Sequence, residues 1–369
     1  MKIGIDAHCL AQKSELKRSG GVYLSNLVLN MARLKPDSQF LLYLNKPSSA
    51  FNPSLSNCFL RPIPGPRVVW RQICLPIAAY KDRVDVLFVP FHSVPRLWLG
   101  RLVVVIHGLA FLTVPEYFSK QTCRYLSLVT SYAIKDADHV IAVSESTKRD
   151  ILKFYGGHLE QKISVIYEAP KYNFNPLSDS DAAEYLLSHW ALKNGDYFLM
   201  VGTHPIKNLK GTLEAFRIAR TQYKVKAKLV VAGNTNALVS QLVAEEGMGY
   251  NIILTGVVSY EELQILYSNA IALLFPSFYE GFGLPLVEAM ACACPVITSN
   301  ISSMPEIAGN AGILVDPYQP EDIAQAIKKV YFEANLRRKL SQAALERSQL
   351  FSWEKAAKET LAVFESIMK

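Results

Sequence analysis

The sequence predicts an α/β protein of two doubly wound parallel-sheet domains facing a cleft, and three observations carry that expectation. Short apolar runs alternate with amphipathic stretches along the chain, the pattern that builds parallel sheets covered by helices on both faces. The alternation breaks once, at "APKYNFNPLSDSD" (169–181), where prolines, asparagines and small polar residues mark a linker. The glycine, histidine, lysine and glutamate residues suited to chemistry follow strand-like runs, at the carboxyl edges where such sheets bind ligands.

The elements run in order. The first domain reads as strands "KIGIDA" (2–7), "QFLLYL" (39–44), "VDVLFVP" (84–90), "LVVVIHG" (102–108), "HVIAVS" (139–144) and "KISVIY" (162–167). Amphipathic stretches such as "GVYLSNLVLNMARL" (21–34) and "SKQTCRYLSLVTSYAIKDA" (119–137) lie between them. After the linker come "YFLMVG" (197–202), "KLVVAG" (228–233), "NIILTG" (251–256), "IALLFPS" (271–277), "PVITS" (295–299) and "GILVD" (312–316). The expected domains are 1–170 and 171–350, which suits a chain of 369 residues.

Composition narrows the function classes. Half the residues are hydrophobic and the mean hydropathy is +0.14, enough for a sizeable core. No apolar run reaches the roughly 18–20 residues of a membrane span; "LVVVIHGLAFL" (102–112) comes nearest and is broken by His107 and Gly108. The first residues enter a strand directly, without a charged and then apolar leader, and six cysteines then read as reduced thiols, so a cytoplasmic location is expected. Cys292 and Cys294 lack a partner pair at zinc spacing. Residues 1–170 hold 21 Lys and Arg against 12 Asp and Glu, a net of +9, while the remainder holds 18 against 20. A basic first half suggests a negatively charged partner. The scattered charges, without a recognition helix or zinc-finger spacing, argue against nucleic acid and for a phosphorylated acceptor or an anionic membrane surface. Arg67, Arg71, Lys81 and Arg83 flank "VVWRQICLPIAAY" (68–80), which reads either as a partly exposed helix resting on lipid or as a segment whose Trp70 and Ile73 pack inside.

The motif that stands out is "FYEGFGLPLVEAM" (278–290), with Glu280 and Glu288 eight positions apart. Glu280 falls in a strand-to-helix loop, and Glu288 one turn into a helix that has Pro285 in its first turn. Free N–H groups at such a junction suit an anion, and acids at these sheet ends often accept from ribose hydroxyls. Gly20-Gly21 opens a helix and permits close backbone approach to phosphate. Lys207, in "GTHPIKN" (202–208), would set an ammonium beside a leaving diphosphate. His107 ends its strand and could hydrogen-bond a sugar hydroxyl or be a satisfied strand-end histidine. "DAD" (136–138) matches the D-x-D pattern of metal-dependent sugar transferases, but its position before a strand suits capping better, so no metal or other cofactor is expected.

E-x7-E with the interior "GFGLPLVEAM", followed by "ACACPVITSNISSMPEIAGNAGILVDP", resembles the retaining family 4 glycosyltransferases of GT-B fold. "IDAHCL…SGGVYLSNL", "ADHVIAVSESTKRDI", "VGTHPIKNLKGTLEAF", "GVVSYEELQILYSNA" (256–270) and "FSWEKAAKETLAVFESI" (351–367) extend the likeness almost end to end. The resemblance implies a nucleotide-sugar donor held by the second domain, an acceptor held by the first, and a segment 351–369 crossing back onto the first. The acceptor would be a saccharide or lipid-linked saccharide. By motif, Glu288 would bind the ribose, Lys207 the diphosphate, Gly21 a phosphate and Val257 the base through its backbone. Glu280, with the backbone at Phe282, Gly283 and Leu284, would hold sugar and phosphate, and His107 would touch the sugar. Gly202, Thr203 and Gly281 complete the implied donor-binding set, and Glu280, Lys207 and His107 stand nearest the chemistry. Family chemistry retains anomeric configuration by front-face attack, the leaving phosphate taking the acceptor's proton.

Two departures stand out. Arginines common in the diphosphate loop are replaced by Thr203 and Ile206, and the acid common after the histidine is Gly108. UDP-glucose is the first donor expected and GDP-mannose the second, in glycan synthesis on the cytoplasmic side, with peripheral membrane attachment. A nicotinamide dehydrogenase lacks its G-x-G-x-x-G here, and a sugar-binding protein would carry an export leader. A nucleotide-sugar epimerase of the same fold is the alternative enzyme.

Overall fold

The computed structural model describes residues 1–12, 19–48, 51–171, 173–177, 180–245, 247 and 249–368. The chain divides into two compact units, Met1–Lys171 with Ser352–Lys369, and Tyr172–Phe351. The first holds a seven-stranded sheet of β1 (Lys2–Asp6), β2 (Gln39–Leu44), β3 (Cys58–Pro62), β4 (Val86–Val89), β5 (Arg101–Ile106), β6 (His139–Ala142) and β7 (Ile163–Val165), in the order β3-β2-β1-β4-β5-β6-β7. Every pairing is parallel, with Ile3 beside Phe40 and Val86, and Val104 beside Val140. Central strands are buried on both faces, which is why β4 and most of β5 read as unbroken apolar runs.

β3 has no counterpart among the strands expected from sequence. It is an edge strand, largely exposed, and backbone pairing with β2 fixes it rather than an apolar pattern. The region 67–81 forms one helical stretch with a π-turn at Trp70–Cys74. The two readings of this segment divide between residues: Trp70 is fully buried, whereas Ile73 is 45% exposed. Arg71 is a correction, since it turns inward to Asp6 (Nε–Oδ2, 3.1 Å) instead of facing outward.

The helix Trp353–Met368 packs on the first unit. Phe364 is fully buried with its ring 5.4 Å from that of Phe88. Lys35 pairs with Glu365 at 2.7 Å, and Arg101 Nε donates to the Ile367 carbonyl at 2.6 Å.

The second unit holds β8 (Tyr197–Val201), β9 (Lys228–Ala232), β10 (Ile252–Gly256), β11 (Leu273–Phe275), β12 (Val296–Ser299) and β13 (Gly312–Val315), in the order β10-β9-β8-β11-β12-β13, again all parallel. All six were legible as apolar runs. Phe198, Phe216, Leu229, Leu274 and Ile327 form its core between sheet and helices. Both sheets reverse strand order beside their first strands (β1/β4 and β8/β11), the position at which open parallel sheets leave a crevice at the carboxyl edge. Among the described residues no helix is long and apolar enough to cross a membrane.

Candidate active site

In the second unit, β11 runs into a loop that ends at Gly283, and the helix Leu284–Ala291 follows with Pro285 in its first turn. Gly283 takes φ +100°, a conformation that side chains disfavour, and so turns the chain sharply into the helix. Two serines after β12 staple the loop. Ser302 Oγ donates to the Glu280 carbonyl at 2.7 Å, and Ser303 Oγ lies 2.9 Å from the same oxygen and 2.8 Å from the Phe282 carbonyl. Gly281 and Phe282 are fixed between these contacts, and Phe282 is buried against Phe351.

Lys207 reaches this loop from β8. Gly202, at φ +90°, leaves the strand, and the short turn Pro205–Lys207 follows. Asn208 anchors that turn: its Oδ1 caps the next helix by accepting from Gly211 N–H, and its Nδ2 donates to the Pro317 carbonyl at 2.7 Å. Lys207 Nζ lies 2.5 Å from Glu280 Oε1 and 4.7 Å from the centre of the Phe275 ring. The lysine and the acid expected from sequence at a diphosphate and a sugar are therefore in direct contact and cancel each other's charge. Neither missing arginine has a charged replacement at its own position: the Thr203 hydroxyl donates to the Asn234 carbonyl at 2.7 Å, and Ile206 is buried.

Glu288 is 3% exposed, with the Tyr267 hydroxyl 3.3 Å from its Oε2. Burial and then the charge of Glu288 hold the Tyr267 phenol well above its ordinary pKa, so it stays a proton donor to the carboxylate. Val257, after β10, is 82% exposed.

In the first unit, Gly20 and Gly21 lie in the first turn of the helix Ser19–Leu34. His107 follows β5, its Nδ1 2.7 Å from Glu168 Oε1 and its Nε2 3.2 Å from the Pro90 carbonyl oxygen. Tyr23 packs edge-on at 4.7 Å between ring centres. Burial, then Glu168, push the Tyr23 phenol well above its usual range. Glu168 was absent from the sequence-based set. It follows β7 at the same edge, and an acid just past a strand end was the available signal. His92, also after a strand, is pushed down to about 4 by burial and then by His107, and its Nδ1 meets Thr130 Oγ1 at 3.0 Å.

The acids of "DAD" sit at the opposite, amino edge. Asp138 accepts from the Leu102 N–H at 2.7 Å, and Asp136 lies 3.7 Å from Arg96. Among the described residues no group of three His, Cys, Asp or Glu side chains is placed to hold a metal ion.

Comparisons with known proteins address the family and the fold. The family described as "Glycosyltransferase Family 4" matches residues 21–169, and that described as "Glycosyl transferases group 1" matches 189–347. An O-antigen chain mannosyltransferase B of Escherichia coli is 29% identical over 271 residues, 72% of this chain and 71% of that protein. The O-antigen chain mannosyltransferase RfbU of Salmonella typhimurium is 31% identical, the match spanning 65% of this chain and 63% of the relative. Matches to serotype-specific mannosyltransferases of Escherichia coli span only about a third of their length (35%). Among solved structures, a sucrose-phosphate synthase from Thermosynechococcus elongatus superposes with a TM-score of 0.76 at 19% identity, covering 100% of this chain and 99% of that one. With two parallel sheets of seven and six strands and family matches along both halves, the chain is a glycosyltransferase of GT-B fold and belongs to family 4.

Proposed function

We propose that this glycosyltransferase moves a hexose from a nucleoside-diphosphate sugar to a saccharide or lipid-linked saccharide in polysaccharide synthesis, with retention and without a metal ion. The observation that carries the reading is the Lys207–Glu280 contact beside the Gly283–Leu284 helix start in a chain of this family. A donor diphosphate competes with Glu280 for Lys207. Its arrival frees the Glu280 carboxylate for the sugar's hydroxyls and for the positive charge that develops at the anomeric carbon. Lys207 and the N–H groups at Gly283 and Leu284 then stabilise the departing diphosphate. Glu288 takes the ribose hydroxyls, Val257 the base through its backbone, and Gly21 a phosphate oxygen. His107, oriented by Glu168, forms a hydrogen bond with a sugar hydroxyl. The anomeric C–O bond to phosphate breaks as the acceptor oxygen attacks from the same face, and the leaving phosphate oxygen receives the acceptor's proton.

The names of the Escherichia coli and Salmonella relatives favour mannose over glucose, which puts GDP-mannose ahead of UDP-glucose as donor. The test is thermal shift against a panel of nucleotides and nucleotide sugars, followed by transfer assays with the binders. A donor at 100 times its Kd should stabilise by about 2.7 kcal/mol. Transfer should persist in EDTA. Product formed without acceptor would replace transfer with epimerisation, and activity lost to EDTA and restored by manganese would overturn the metal-free reading.

The acceptor is reached at an anionic lipid surface. Val68, Val69, Ile73, Ile77 and Tyr80 are 74, 46, 45, 48 and 46% exposed along one helical stretch, and nearby Leu99 is 90% exposed. Lys81 and Arg83 are exposed at its end. Each basic residue near such a surface adds about 1 kcal/mol. Co-sedimentation with anionic vesicles at low salt, fading as salt rises, is the expected result; no co-sedimentation at low salt overturns the attachment.

A further inference from the structure

The carboxyl end of β1 carries a cluster that the donor chemistry leaves unused. Asp6 is fully buried and His8 nearly so. His8 Nδ1 lies 2.6 Å from Asp6 Oδ1, and Arg71 Nε donates to Asp6 Oδ2 at 3.1 Å. Arg67, exposed on the first turn of its helical stretch, places Nη2 2.8 Å from His8 Nε2. A guanidinium can only donate, so Nε2 accepts and the imidazole proton sits on Nδ1, facing Asp6. Burial opposes charge on Asp6, yet His8 and Arg71 together hold its carboxyl well below the usual range, so the Asp6–Arg71 pair is ionised.

Counting donors against acceptors shows an imbalance. Two guanidiniums face one carboxylate and one imidazole nitrogen, and the fully buried Trp70 indole N–H, its ring 6.2 Å from His8, has no acceptor among the described residues. A buried donor without a partner calls for an explanation, and a surplus of donors with net positive charge matches an oxyanion. The cluster adjoins the glycine turn: the Phe91 ring lies 4.6 Å from that of His8, tilted by 56°, and would be met by a Cβ at Gly20 at 3.1 Å.

We propose that Arg67 and Arg71 form an anion site that takes a phosphate or diphosphate group of the acceptor. The proposal rests on the reading that the first unit holds the acceptor. Arg67 swings from His8 Nε2 to the phosphate and brings the net charge, while Arg71 stays on Asp6 through Nε and offers its remaining N–H groups.

The test is titration of the whole protein, labelled with 15N in its histidines, with inorganic pyrophosphate, following the ring nitrogens of His8 assigned through a His8→Gln variant. Pyrophosphate should move the His8 Nε2 signal saturably, and Arg67→Met should weaken that binding about tenfold or more, with Arg67→Lys intermediate. An unmoved His8 signal, or equal affinity in Arg67→Met, overturns the site. Geranyl diphosphate and glucose 1-phosphate separate the two sources: tighter binding of the first assigns a lipid diphosphate, and tighter binding of the second a sugar phosphate. A signal moved by phosphatidylglycerol vesicles but not by pyrophosphate reports surface charge and also overturns the site. Nucleotide binding, measured in parallel, keeps the two readings apart: its absence from the wild-type protein defeats the proposed donor chemistry, whereas a silent His8 defeats only the anion site.

Discussion

Replacing Lys207 by methionine tests whether the ammonium acts in the chemical step or only holds its loop. Its pair with Glu280, at 2.5 Å, is partly shielded, with side chains 22% and 13% exposed. Exposed pairs contribute about 0–1 kcal/mol and loss of one partner of a buried pair costs about 3–5. This intermediate burial places the cost of Lys207→Met at about 1–3 kcal/mol, most of it from the stranded Glu280 carboxylate. Adding Glu280→Gln removes that stranded charge and should return most of the lost stability. Turnover should behave differently. A fixed cation beside a departing diphosphate resembles an oxyanion-hole donor, whose removal lowers kcat by roughly 10²–10³. The double variant should therefore be stable and still slow. Because it also lacks the Glu280 carboxylate, the kcat of Lys207→Met alone, set against Glu280→Gln alone, reads the role of the ammonium. Urea unfolding of the single and double variants, with kcat and KM on the donor identified by thermal shift, gives both quantities. A rise in KM alone, or recovery of kcat in the double variant, refutes a role for Lys207 in stabilising the leaving group.

Glu288→Ala should weaken nucleotide-sugar binding by roughly 1.5–3 kcal/mol for each charged hydrogen bond lost, measured by calorimetry; unchanged affinity would move the ribose site elsewhere. Glu168→Gln keeps the shape but removes the charge that orients His107 (2.7 Å). It should lower kcat more than it raises KM, and an unchanged pH–rate profile would count against orientation through charge. Stability should fall as pH drops from 6.5 towards 4, chiefly because His92 is held neutral to about 4 when folded and protonates near 6.5 when unfolded. His139, lowered by burial and then by Lys162, adds in the same direction. For His92 the unfolded state then binds the extra proton, a loss of about 3 kcal/mol at most across that window. Asp6 acts only below its ordinary value of 3.8, outside the window. His92→Gln should flatten the slope between pH 6.5 and 4 in thermal unfolding; the same slope in the variant would assign it to another group.

Much of the architecture was legible because strands buried on both faces leave unbroken apolar runs, as in "LVVVIHG" and "IALLFPS". β3 was not, since "CFLRP" is an edge strand whose side chains face solvent and whose place depends on backbone bonds to β2. The site was legible where its parts are local: Glu280, Gly283 and Glu288 share one loop and one helix. Contacts across long sequence separations were not. Arg71 meets Asp6 65 residues away and His107 meets Glu168 61 residues away, and a sequence shows the types of such residues but not their pairing. Arg71 was misplaced for this reason, since an arginine flanking an apolar helix looks the same from sequence whether its guanidinium points into the fold or away from it.

The helix Trp353–Met368 has a consequence for synthesis on the ribosome. The first unit needs that helix to cover Phe88, yet the whole of Tyr172–Phe351 is made in between. At about 5–20 residues per second, translating that intervening stretch takes roughly 10–35 s. During that time the second unit, continuous in sequence, can complete its own sheet, while the first waits with an apolar face open to water. The unit that begins first is the one that finishes last, and the nascent chain is most prone to aggregate through the face around Phe88.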